Sequence, residues 1–373
     1  MRRFHVILIV IVLFSGCAPS EKNRQRENSN RYAHGFSINK DGNITQLTVF
    51  NPWEKAENVS VQYHLLDKNQ PVPDSLSGKR IIKTPVERVV CLSTTHIGFL
   101  EVLDETGAVA GISGSQYVSS EKVRKRMEQE EVPDVGYGQN LNYELIVTQK
   151  PDLVFVYGIG SEVTSSVKKL EELGIPVVMV AEYLEESPLG KAEWIHFFGS
   201  FFQKENEAQR YFTRVENEYH RLKKLAAQVS EKPKVMVGSP YKDSWWIPGG
   251  NSYLANLMAD AGGDYLGKEN PSHESYVISF EHALTMAGEA DIWINMGNMA
   301  SKAELLSTDE RFKNFDVFNN GKLFNNIKRL SHHGGNDFWE SGTVNPHLVL
   351  SDLIAIFHPG ITNVDLVYYQ EIQ

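Results

Sequence analysis

From Phe36 to Val49 apolar and polar residues alternate on both sides of Asp41-Gly42, and Val59, Val61, Tyr63 and Leu65 alternate again. A period of two around a turn dipeptide predicts a hairpin followed by a further strand. After Pro85 the pattern changes. Short apolar runs at Arg88 to Leu92, Ala108 to Ile112, Leu153 to Tyr157 and Val177 to Val180 alternate with helical spacing at Ile97 to Leu103, Ser119 to Gln129 and Ser161 to Leu173. Gly174 and Pro176 stop the last helix just before its strand. Continuous apolar strands between helices predict a parallel sheet covered on both faces.

A helical stretch, Lys191 to Val229, comes next, with Ala208, Phe212, Val215, Tyr219, Leu222 and Ala226 spaced by four and three. Its position between one finished α/β unit and a fresh one predicts a connector with one buried face. The fresh unit runs through a strand at Lys234 to Gly238, helices at Ser252 to Ala261 and Ser279 to Ala287, and a strand at Asp291 to Asn295. A helix near Asp309 to Asn314, a strand at Lys322 to Phe324 and a helix from Pro346 to Phe357 complete it.

Two segments echo one another across these units, Leu141 to Gly158 and Ile278 to Gly297. Each opens a helix with a capping residue, Asn142 or Ser279, places a glutamate two positions later, Glu144 or Glu281, and runs into a buried strand. Eight positions separate Glu144 from Asp152 and ten separate Glu281 from Asp291, so the echo is structural and coarse. Two lobes with an acidic group at one place on each suggest a clamp presented to a partner.

The amino terminus sets the compartment. Arg2 and Arg3 precede an apolar run from Val6 to Phe14, then Ser15, Gly16 and Cys17. About nine apolar residues fall far short of the roughly 20 that span a bilayer, and the flanks suit a signal peptide. Small residues before the cysteine suit lipoprotein processing with Cys17 lipidated, although Phe14 stands where leucine is usual. Ser20 to Arg31 is polar and predicts a tether. The other cysteine, Cys91, lies in an apolar run and is expected to be a buried, inert thiol. The boundaries expected are a leader at 1–17, tether at 18–31, β extension at 32–85, first lobe at 86–190, connecting helical region at 191–229 and second lobe at 230–373.

With 37 Lys and Arg against 47 Asp and Glu, and no basic block, nucleic acid is a poor partner. No catalytic signature is present. Gly111 to Ser115 lacks the last glycine of a nucleophile elbow, and neither a zinc-protease helix nor a phosphate loop occurs. Glu193 and His196 have helical metal spacing but make only two ligands, and His332-His333 beside Gly334-Gly335 is a loop whose imidazoles could approach a ligand. His96 follows the first strand, where α/β folds place ligands. The other strand ends carry aromatics: Tyr117, Tyr137, Tyr157, the pair Trp245 and Trp246, and Trp339 in a late loop. These positions converge on the crevice beyond the strands, and Arg and Lys are scarce there, which suits a large, rigid, partly apolar ligand.

Pro85 to Ser93, Asn142 to Ile146 with Lys150 to Val154, Leu170 to Val177, and the long helix followed by Gly262-Gly263 resemble the substrate-binding proteins of ABC importers for cobalamin, ferric siderophores and haem. The resemblance covers about 85–359. It implies an α/β fold of two doubly wound, Rossmann-like lobes joined by one long α-helix, the class III periplasmic-binding-protein fold. The β extension lies outside it and is similar to additions in lipoproteins of Bacteroides-type bacteria. The resemblance further implies a monomeric, non-enzymatic protein without a cofactor, lipid-anchored in the periplasm, that delivers a metal chelate to permease subunits. Glu144 and Glu281 match the docking glutamates, and Tyr117, Tyr157, Trp246 and Asp337, with Trp339 adjacent, match cleft positions. Two other readings stay open: a metal-dependent envelope enzyme using His332, His333 and Asp337, and a lipoprotein for a free metal ion.

Overall fold

The computed structural model describes residues 30–241 and 244–373. The leader, Cys17 and most of the tether therefore lie outside the described residues. Strands β1 (Phe36–Asp41) and β2 (Ile44–Phe50) form the expected hairpin, with Asp41 facing Ile44 so that Gly42-Asn43 make the turn, one residue on from the dipeptide anticipated. β3 (Ser60–Asp67) adds antiparallel and β4 (Ile81–Thr84) adds parallel. Phe36, Leu47, Val49, Tyr63, Leu65 and Ile82 fill its inner face and merge with the core of the first lobe.

That lobe runs β5 (Val89–Cys91), α1 (Thr94–Val102), β6 (Val109–Ile112), α2 (Glu121–Glu128), α3 (Tyr143–Thr148), β7 (Leu153–Val156), α4 (Val163–Glu172) and β8 (Val177–Met179). Its four strands are parallel, in the order β6-β5-β7-β8. The Tyr63 hydroxyl accepts the Met179 N–H at 2.9 Å, which fastens the extension to the edge strand β8. Cys91 is buried, and burial pushes its thiol well above the ordinary range, so it is inert as expected.

The connector departs from a single helix. It is three: α5 (Pro188–Glu193), α6 (Ile195–Phe202) and α7 (Glu205–Ala226), with Gln203 in the left-handed region at φ 56° between the last two. The physical reason is local. Five of the eight residues of α6 are Phe or Ile and the helix sinks into the core on most sides, whereas α7 carries one apolar stripe and must lie on the surface. The 22-residue α7 buries the face anticipated, from Ala208 to Ala226.

The second lobe contains β9 (Lys234–Val237), β10 (Pro240–Tyr241), β11 (Ser244–Pro248), α8 (Tyr253–Asp260), β12 (Asp264–Tyr265), β13 (Ser275–Ile278), α9 (Phe280–Glu289), β14 (Ile292–Ile294), α10 (Lys302–Thr308), α11 (Asp316–Asn320), β15 (Lys322–Asn325), α12 (Asp337–Val344), α13 (Pro346–Phe357) and β16 (Gln370–Glu371). Its main sheet is ordered β12-β9-β14-β15-β16, parallel except for β16. The first four strands repeat the order of the first lobe, second-first-third-fourth. The echo is thus a repeat of topology: α3 leads into β7 as α9 leads into β14. Asp152 accepts the N–H groups of Glu87 and Arg88, and Asp291 accepts that of Lys234, so each aspartate ties the third strand's entrance to the first strand's.

The lobes are held by more than α7. α12 returns to lie on α1, where any side chain on Gly98 would run into the Glu340 carbonyl. The buried Glu340 carboxylate accepts the N–H groups of Ser119 and Ser120 at 2.8 and 2.7 Å, at the start of α2. Burial, outweighing those two N–H groups, pushes this carboxyl from 4.5 to about 8. The unfolded chain ionises the group near the lower value, so its stabilising contribution is complete below that pH and is lost as pH climbs through the folded value. A pKa unit is worth about 1.4 kcal/mol. The unfolding free energy, measured by urea titration, is expected to fall by a few kcal/mol between pH 5 and 8, and Glu340→Gln is expected to flatten that slope.

Candidate functional site

The carboxyl ends of β5, β6 and β7 open on a cavity of about 460 Å3 lined by Leu92, Ser113, Tyr137, Tyr143, Tyr157 and Ile159. This is the switch point of a second-first-third-fourth sheet, where the loops of neighbouring strands leave in opposite directions. Gly114 turns the chain there at φ 71°, and a Cβ on it would lie 3.1 Å from the Tyr117 ring and 4.0 Å from the Tyr137 ring. The hydroxyls of Tyr137 and Tyr157 are 3.0 Å apart, and Tyr157 meets Tyr183 edge to face at 6.2 Å. Burial pushes the phenols of Tyr157 and Tyr183 well up, so both stay neutral. Asp134 accepts the N–H groups of Ser115 and Gly136, which fixes the turns that carry Tyr117 and Tyr137. Although partial desolvation opposes it, those bonds hold the carboxyl of the exposed Asp134 below the usual range.

Of the residues expected in the cleft, the structure brings Tyr117, Tyr137 and Tyr157 together. Gly335 lies against the Tyr117 backbone, so the loop holding the exposed His332 and His333, and α12 with its exposed Trp339, meet this cluster from the second lobe. Trp246 lies on β11 and is 49% exposed, while its neighbour Trp245 is 2% exposed and stacks on Trp293 and Phe315. Trp245 is therefore a core residue, because the pair sits in a strand, where successive side chains face opposite ways. His96 is also core. It is wedged between Phe155 and Phe198, fully buried, with burial lowering it to about 3. Asp337 is buried and bound 2.9 Å from Arg329, so its charge is already matched. Among the described residues no group of three or more His, Cys, Asp or Glu is placed to hold a metal ion.

Residues 89–326 match the model of a periplasmic binding protein family. The chain belongs to that family. Its members are solute-binding proteins of ABC transporters. An uncharacterized lipoprotein of Methanocaldococcus jannaschii is 29% identical, over 94% of this chain and 91% of the relative. A periplasmic heme binding protein from Pseudomonas aeruginosa superposes with a TM-score of 0.58 at 14% identity, over 77% of this chain and 98% of that one. A possible iron-binding protein from Staphylococcus epidermidis gives 0.56 at 16%, over 73% and 98%. These two likenesses are of fold.

In this periplasmic binding protein the two echoed glutamates are exposed. Asn142 accepts the Leu145 N–H at 3.0 Å and Ser279 the His282 N–H at 3.1 Å, so both helix starts are capped as anticipated. No ion pair engages either carboxylate among the described residues. Glu281 is held below the usual carboxylate range by its own N–H and the Ser279 side chain, with the nearby Arg311 guanidinium adding to the effect.

The β extension reaches the rim of the cleft. Its loop between β2 and β3 holds Asn51, Lys55 and Asn58 at φ 45°, 62° and 58°, a left-handed conformation that asparagine tolerates better than most residues. The loop seats Trp53 against the first lobe, and the Glu54 N–H donates to Ile159 O at 3.1 Å, on the rim of the tyrosine cavity. The two asparagines were the available signal. What their turn would touch was not legible. Trp53→Ala is expected to cost about 2 kcal/mol and to speed hydrogen exchange at the Glu54 amide while that of the β1–β2 hairpin stays protected.

Proposed function

We propose that this protein is the lipid-anchored receptor of an ABC importer, which captures a metal chelate between its lobes and passes it to the permease. The observation that carries this is the tyrosine cluster over the carboxyl ends of β5 to β7, with Tyr117 and Tyr137 exposed and the Tyr137 and Tyr157 hydroxyls paired. Neutral phenols and ring faces favour a flat or bulky, partly apolar ligand. The nearby cation Arg329 is matched by Asp337, which leaves the cluster poor in counter-charge for a multiply anionic catecholate. A corrinoid or a near-neutral ferric chelate suits it better. That one structural neighbour is a heme binder and another is described as a possible iron binder supports a ligand of this class.

The leader with Cys17 and the lipoprotein relative support anchoring to the envelope membrane. Glu144 and Glu281, exposed at equivalent helix starts, support docking to cationic groups of the permease, where separated exposed charges orient a complex more than they tighten it.

Cobalamin, a ferric hydroxamate and haem are the probes. Tryptophan fluorescence should be quenched by at least one of them, and Tyr137→Ala should weaken that binding about tenfold. Flat titrations with all three would refute the ligand class. Reversing Glu144 and Glu281 to Lys is expected to leave binding intact and abolish uptake in vesicles carrying the importer.

A further inference from the structure

α3 and α9 are alike residue by residue. Tyr143-Glu144-Leu145-Ile146-Val147-Thr148 in the first lobe corresponds to Phe280-Glu281-His282-Ala283-Leu284-Thr285 in the second. In each, a half-buried aromatic is followed by the exposed glutamate. The fourth residue, Ile146 or Ala283, enters the core. The fifth is aliphatic and exposed: Val147 at 41% and Leu284 at 39%. The threonine then turns its hydroxyl back onto the helix backbone, to Leu145 O at 2.7 Å or Glu281 O at 3.0 Å.

Residues three apart share a helix face, so Val147 lies beside Glu144 and Leu284 beside Glu281. A single exposed aliphatic calls for no explanation. The recurrence does. Of the large exposed apolar side chains among the described residues, Val147 and Leu284 are the aliphatics inside helices, while Val72, Ile159, Leu173, Val277 and Val364 lie in loops, a strand and a helix cap. Both stand before the third strand of their sheet, whose entrance is pinned to the first strand by an aspartate in each lobe.

We infer that Val147 and Leu284 are apolar anchors of the docking surface, each seated with its glutamate in one of two equivalent sockets on a partner that is itself two-fold. Each socket pairs a cation with an apolar recess. This rests on the docking reading of Glu144 and Glu281, and the two exposed carboxylates supply the charge complementarity: among the described residues neither forms a direct ion pair, and Arg311, the cation acting on Glu281, is itself bound to Asp309. The division of labour is physical: exposed charges orient the encounter, and a buried aliphatic beside them adds affinity while excluding water from the ion pair. The partner is therefore a symmetric pair of importer permease subunits.

The test uses the full chain on its native membrane. A photo-cross-linking amino acid at position 147 and, separately, at position 284 should capture the same permease polypeptide at the same peptide. Capture of two unrelated polypeptides, or of none, overturns the inference. In parallel, Val147→Gln with Leu284→Gln should weaken binding to the reconstituted importer about tenfold, leaving ligand quenching unchanged. Full affinity in that double variant, alongside loss in the variant with both glutamates reversed, refutes the anchors and keeps the docking reading. Full affinity in both variants refutes the docking reading itself.

Discussion

A buried carboxylate that accepts consecutive backbone N–H groups of a distant segment is the bond on which the assembly of this molecule depends. Glu193 takes those of Arg31, Tyr32 and Ala33, and Glu185 those of His34 and Gly35 with the Trp194 ring N–H. Together they fasten the chain ahead of β1 to the start of the connector. Asp352 does the same for Val367, Tyr368 and Tyr369, bringing the carboxyl-terminal strand onto the second sheet. Glu340 joins the lobes. A backbone segment without sheet or helix partners must satisfy its N–H groups somewhere, and a carboxylate with two oxygens and several lone pairs does so at one point.

These clasps decide how the cleft is framed. α7 is one covalent strut, but α12 packs on α1 and Glu340 holds the start of α2, so the second lobe meets the first along two lines. Two such lines resist the wide hinge motion that a flexible linker permits. The cavity walls are then set before a ligand arrives: Asp134 fixes the turns of Tyr117 and Tyr137, and the Glu54 N–H fixes the rim at Ile159. Preorganised aromatic walls lose little freedom on binding, which favours a rigid ligand.

The repeated lobe gives the outer surface its logic. Strand order, the capped helices α3 and α9, and the aspartates at the mouths of β7 and β14 recur. The copies differ in length, six residues in α3 against ten in α9, while the link from helix to aspartate shortens from three residues to one, which together give the two extra positions between glutamate and aspartate. The repetition keeps the outward faces of α3 and α9 alike, while the tyrosine cluster is a feature of the first lobe.

Periodicity is local, so the chain alone determined most of its own elements: the parallel strands, the capped helices, the stripe of α7 and the lobed plan. It also marked Tyr117, Tyr137 and Tyr157 as strand-end residues. The tertiary structure decided what depends on partners far along the chain. Trp245 faces inward and Trp246 outward because β11 pairs with β13, a register that no local pattern contains. His96 turns into a cage built by Phe155 and Phe198, and Asp337 is claimed by Arg329. The contact of Glu54 with Ile159 spans more than a hundred residues. Secondary structure follows from neighbours within a few positions, whereas burial, pairing and charge compensation follow from which surfaces meet.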